Sequence, residues 1–103
     1  MSALNVPFDL SGSALIIPVD RWGDPEFTVQ VESGAGTVLV EGTLAQINRG
    51  DTAVWATALD RAGVAIAAQA VGIVGLQPTP FEAIRITATG VAVGRLMQTG
   101  APQ

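Results

Sequence analysis

The stretch Glu26-Phe-Thr-Val-Gln-Val-Glu32 decides how this chain is read. Phe27, Val29 and Val31 fall at every second position, with Thr28, Gln30 and Glu32 between them. Successive side chains leave a β-strand on opposite sides, so a period of two marks a strand with one buried face. Phe27, in phase with the two valines, belongs to that face. Ser33-Gly-Ala-Gly36 then supplies turn chemistry, and Thr37 to Ile47 resumes the alternation. There Val38 and Val40 oppose Leu39, Glu41 and Thr43. Two alternating runs around a Gly-rich connection of about four residues predict a β-hairpin.

The same grammar extends outward. Ser13 to Pro18 is a short apolar strand, followed by the turn cluster Asp20-Arg-Trp-Gly-Asp-Pro25. Asn48-Arg-Gly-Asp51 and Asp60-Arg-Ala-Gly63 are turns. Between them Thr52 to Leu59 reads as a strand with Trp55 at its middle, on the core side. Val64 to Gly75 is rich in Ala, which favours helix, but its Val and Ile content and Gly72 and Gly75 favour strand. Phe81 to Ala88 places Ile84, Ile86 and Ala88 on one face and Arg85 and Thr87 on the other, with Arg85 facing solvent. Val91 to Gln98 is the last strand. The sum is an all-β domain, a small antiparallel β-sandwich or barrel of about seven strands, compatible with a jelly-roll-like wrapping. The body spans residues 13–98 and residues 99–103 form a frayed polar tail. Leu4, Val6, Phe8 and Leu10 also alternate around Pro7. Residues 1–12 are therefore either an edge strand or an extended arm that adds to a neighbour.

Composition narrows the function classes. The chain has 103 residues, enough for one domain with a limited core. Hydrophobic residues make up 49% and charged residues only 14%, well below the roughly 25% of an ordinary soluble domain. Apolar surface in excess of what one small core can bury points to association, and a homo-oligomer, dimer or trimer, is expected. The longest charge-free run, Ala62 to Phe81, is broken by Gly, Gln and Pro and does not read as a membrane span. Residues 1–10 lack the basic region and apolar core of an export signal. Nine acidic groups stand against five Arg and no Lys, for a net charge of −4. Neither nucleic acid nor an anionic membrane is an expected partner.

The chain also has no His, Cys or Tyr. This removes the usual neutral-pH base, the thiol nucleophile and most zinc sites, and with Lys absent, Schiff-base chemistry and the phosphate-loop lysine as well. No catalysis and no cofactor is expected. The carboxylates that remain near Trp22, namely Asp20, Asp24 and Glu26, lack the spacing of a calcium loop and read as turn residues. Arg49-Gly50-Asp51 spells an adhesion tripeptide, but it is also ordinary turn chemistry. The candidate interface residues are Leu4, Val6, Phe8 and Leu10 of the N-terminal segment, with Trp22 and Phe81 beside prolines at turns.

A succession of segments resembles the small β-rich virion proteins of tailed bacteriophages. It runs from Phe27-Thr-Val-Gln-Val31 through Val40-Glu-Gly-Thr-Leu44 to Ala53-Val-Trp-Ala56. It closes on Pro80 to Thr87 and on Gly90 to Met97. The resemblance covers residues 13–98; Val64 to Gly75 departs from it in being richer in Ala. It implies a structural role in the virion, assembled in the host cytoplasm: capsid decoration or cement on the major capsid protein, or a neck, tail or fibre-base part. It also raises Arg85 as a partner for a capsid carboxylate. A carbohydrate- or cell-surface-binding module built around Trp22 is the alternative of a different class.

Overall fold

The structure is a computed structural model and describes residues 2–19 and 26–101. Eight strands follow in chain order: β1 (Ser2–Ser11), β2 (Ala14–Pro18), β3 (Glu26–Ser33), β4 (Thr37–Thr43), β5 (Ala56–Thr57), β6 (Gly72–Gly75), β7 (Ala83–Thr89) and β8 (Val91–Ala101). One short 3₁₀ turn, Ile47–Arg49, interrupts the series. β1 pairs with β8, β2 with β7, β3 with β6 and β4 with β5, all antiparallel. These are the nested pairs of one long hairpin. The hairpin is rolled so that β8 also joins β3, and β7 also joins β4. Two four-stranded sheets result, β1-β8-β3-β6 and β2-β7-β4-β5. This strand order is an eight-stranded jelly roll. Among the described residues no helix is long and apolar enough to cross a membrane.

The alternation that predicted strands also builds the core. Phe27, Val29 and Val31 from one sheet meet Val38, Val40, Ile84 and Ile86 from the other, all buried. Burial of a large aliphatic or aromatic side chain is worth about 1.5–3 kcal/mol, so this double layer dominates the stability. No buried side-chain nitrogen or oxygen among the described residues lacks a hydrogen-bond partner.

Several expectations need correction. The run from Glu26 to Thr43 is not a hairpin, because β3 and β4 lie in different sheets. Their valine faces look into one core from opposite sides. The connection is a corner that presses on the β7–β8 turn. Gly34, at φ +111°, leaves no room for a Cβ beside the Val91 carbonyl, and the Gly36 N–H donates to that carbonyl at 2.8 Å. The strand expected over Thr52 to Leu59 shrinks to Ala56–Thr57. Past Ala58 the chain turns, and Asp60 Oδ1 accepts the N–H groups of Ala62 and Val64 at 2.9 and 3.0 Å. Val64 to Gly75 is a strand only over β6. Its first half lacks alternation and delivers just Ile66 to the core, making single bridges at Ala65 and Gln69. Finally, β8 continues to Ala101, with Thr99 opposite Glu26 and Ala101 opposite Ser2. Residues 99–101 are thus ladder residues, not a frayed tail.

Candidate interaction surface

Of the two readings of the N-terminal segment, the structure has the edge strand. β1 is hydrogen-bonded to β8 along almost its whole length. Phe8 and Leu10 are buried in the core, and Leu4 and Val6 are half-buried against it. These four alternating residues therefore serve the fold and do not form a free interface: β8 offers β1 a full ladder, so the apolar face turns inward. Phe81 is likewise half-buried. Its ring lies over Gly42, where a Cβ would collide with it, and 5.9 Å from the Phe27 ring. Trp22 lies outside the described residues, as do Asp20 and Asp24.

The exposed apolar surface is elsewhere. Among the described residues, the large apolar side chains open to water are Ile16, Leu44, Val54, Leu59, Val64, Val71, Ile73 and Val91. Six of these eight fall between residues 44 and 73, in the long connection that carries only β5 and β6. The topology explains why. β4 and β3 each have one flank not taken by a long strand, and this connection covers both. Gly42 pairs with Ala56, Ala58 N–H donates to Val40, and Val38 and Gln69 exchange two hydrogen bonds of 2.8 and 2.9 Å. On the other sheet β6 pairs with β3, and Leu76 N–H donates to Phe27. The connection otherwise bonds only to itself, at Ala58–Ile66 and Leu59–Gln77, and no long strand covers it, so many of its apolar side chains stay exposed.

Where the connection leaves and returns, Leu44, Val54, Ala56 and Phe81 frame an open hollow of about 420 Å³. Its lining has no charged residue. Val54 is the most exposed of the large apolar residues, at 78%. An exposed apolar hollow of this kind is what proteins use to dock other proteins.

Each sheet also carries a polar cluster. On the outer face of β7 and β4, Arg85 Nε and Nη2 both donate to Glu41 Oε1, at 3.0 and 2.7 Å. The guanidinium also sits 4.9 Å from the centre of the Trp55 ring. Trp55 is therefore not a core residue: with no long strand to hold it inward, it covers the Arg85–Glu41 pair from outside. Arg85 is not an ordinary solvent-facing arginine, since its charge is already met within the chain. On the other sheet, Arg95 reaches Asn5 Oδ1 at 3.1 Å and Glu32 at 3.5 Å, and the surroundings are polar. The Arg49-Gly50-Asp51 turn folds back on Gln46. Arg49 donates to its side chain and Asp51 accepts its N–H, at 3.1 and 3.0 Å. Sequence reasoning missed residues 44–73 as a surface because Val54, Val71 and Ile73 look like core material until their pairing is known. The signal present in advance was the lack of charge from Ala62 to Phe81. No family model, no curated protein and no solved structure matches this chain.

Proposed function

We propose that this protein is a structural component of a tailed-bacteriophage virion, a capsid decoration protein that docks on the head shell and works by contact, not by catalysis. The setting rests on the sequence resemblance of residues 13–98. The mode of action is supported by one observation above all: six of the eight exposed large apolar residues lie in one connection, and two of them, Leu44 and Val54, frame an uncharged hollow with Phe81. Such a hollow suits an apolar side chain or short uncharged segment of a shell protein, whose burial would drive attachment. The lack of His, Cys, Lys and Tyr supports a role without chemistry.

The decisive experiment mixes purified protein with expanded, undecorated heads and measures co-sedimentation and stoichiometry. Decoration requires saturable binding in copies that number in the hundreds, following the shell symmetry, whereas about a dozen or fewer would move the protein to the neck or tail. Absence of any binding to heads sinks the proposal. Val54→Asp places a charge in the hollow and is expected to abolish binding while leaving the fold intact.

A further inference from the structure

Four arginines stand among the described residues, and three of them are met within the chain. Arg85 pairs with Glu41 at 2.7 Å, Arg95 reaches Asn5 and Glu32, and Arg49 donates to Gln46 at 3.1 Å. Arg61 is exposed, and among the described residues no hydrogen bond or ion pair engages its side chain. The adjacent carboxylate, Asp60, is turned to its own turn, where Oδ1 accepts the N–H groups of Ala62 and Val64.

This unpaired side chain nevertheless has a defined place. A Cβ on Gly75 would come within 2.5 Å of Arg61 Nε and 3.3 Å of its Cζ, so the guanidinium end lies on the glycine. Gly75 does not have a positive φ, so it supplies room and not a special conformation. Alternation identifies the face. Val74 packs on the core, so Ile73 and Gly75 point to the outside of the sheet, where the register sets them beside Gln30 and Thr28. Leu59, two residues before Arg61 in the stretch that Asp60 bridges to Leu76, stands on the same side. The guanidinium therefore lies among uncharged neighbours, and two of them are open apolar side chains, Ile73 at 68% and Leu59 at 37%.

We infer that Arg61 is the polar anchor of the docking surface and takes one carboxylate, from an Asp or Glu of the shell protein whose apolar neighbours cover Leu59 and Ile73. This rests on the head-shell reading and adds the chemistry of the partner. Charge complementarity selects the occupant. A guanidinium without a counter-ion can hold a carboxylate by two parallel hydrogen bonds, and an uncharged surround that dries on contact strengthens them. Arginine beside apolar side chains is also the composition of the residues that carry binding energy in protein interfaces. A polyanion does not fit, because nine acidic groups against five Arg repel a row of phosphates and one open guanidinium cannot offset them. The anchor adjoins the hollow. Ala56 and Thr79 line the hollow. Leu59 follows Ala56 by three residues, Gln77 precedes Thr79 by two, and Gln77 N–H donates to the Leu59 carbonyl at 2.8 Å. Three residues span at most about 10 Å, so one extended shell segment can seat an apolar side chain in the hollow and a carboxylate at Arg61.

Titration of undecorated heads at several salt concentrations tests it, with urea denaturation to confirm that each variant is folded. Arg61→Gln is expected to weaken binding roughly tenfold at low salt and to flatten the salt dependence, and Arg61→Glu to weaken it further. Gly75→Ala keeps every charge but puts a Cβ where the guanidinium lies, and is expected to weaken binding as well. Arg85→Gln removes the same charge from the other sheet and is expected to bind within about twofold of the wild type. The inference is overturned if Arg61→Gln and Arg61→Glu bind as the wild type does, if Gly75→Ala does so, or if Arg85→Gln loses as much as Arg61→Gln. A wild type that binds no heads sinks the head-shell reading and this inference with it. Binding that is lost in Val54→Asp but unchanged in the Arg61 variants overturns the anchor alone and leaves that reading standing.

Discussion

Residues 83–98 and residues 44–73 are both rich in apolar side chains, yet they meet water in opposite ways. In β7 and β8 strict alternation buries Ile84, Ile86, Ala92 and Leu96 completely. Among the described residues between 44 and 73 only Ala58 and Ile66 are buried, while Leu44, Val54, Val64, Val71 and Ile73 are exposed. The difference lies in pairing. β7 is held between β2 and β4, and β8 between β1 and β3. A strand bonded on both flanks cannot rotate, so its period of two becomes a division between inside and outside. The connection is bonded on both flanks only around Ala58 and around Leu76. It shields the open sides of β3 and β4, and its apolar residues are left as surface for something else to cover.

The sharpest way to break the contrast is to open the core side. Phe27 is 1% exposed and stacks near Phe81. Phe27→Ala is expected to cost about 3–5 kcal/mol, read by urea denaturation, which for a small domain is a large share of its stability. A loss under about 1 kcal/mol would mean that the two sheets are not joined through this residue. Gly94→Ala comes next. Gly94 sits between Phe8 and Val31 in the ladder, and an added Cβ would strike the Gln30 carbonyl and come within 2.7 Å of the Phe8 ring. Backbone cannot yield as a side chain does, so a loss of about 1–3 kcal/mol is expected from overpacking.

These two positions also mark how much could be read without coordinates. The all-β class, and Phe27, Val29, Val38, Val40, Ile84 and Ile86 as core, follow from a period of two, which is a local property of the chain. Which strand pairs with which is not local. The Ser33–Gly36 corner has the composition of a hairpin turn, yet it carries the chain from one sheet to the other. Nothing in four residues distinguishes the two outcomes; the choice is made by the β7–β8 turn that packs on Gly34. Trp55 was misjudged for a related reason: it lies in an apolar octapeptide, but only Ala56 and Thr57 find a ladder partner in β4. Phe8 and Leu10 looked available as interface residues until β8 claimed them, and β8 lies more than eighty residues further along the chain.

A smaller effect is expected where polar groups are half-exposed. Glu41→Ala leaves Arg85 without its acceptor and is expected to cost about 1 kcal/mol, below the roughly 1.5–3 kcal/mol of a buried hydrogen bond to a charged group because water reaches the pair. Trp55→Ala removes the ring over the guanidinium at about 0.5–1 kcal/mol. In a double-mutant cycle the two should not be additive, since Glu41 fixes the arginine that Trp55 covers. Additive losses would show that Trp55 packs on the sheet independently of the ion pair.

The smallest effect on stability is expected at Val54, and it tests the connection directly. A valine in a core, such as Val38 at 0% exposure, loses burial and gains an unpaired hydroxyl when changed to Ser, a cost of about 2–3 kcal/mol. Val54 is 78% exposed, so Val54→Ser removes almost no burial and should stay within about 0.5 kcal/mol of wild type. If Val54→Ser instead destabilises the isolated protein as Val38→Ser does, the connection packs on the core in solution and the hollow is closed. If it is neutral in the isolated protein but weakens attachment to heads, the apolar side chain has its partner in another molecule. The comparison then becomes one between side chains covered by their own fold and side chains covered by assembly.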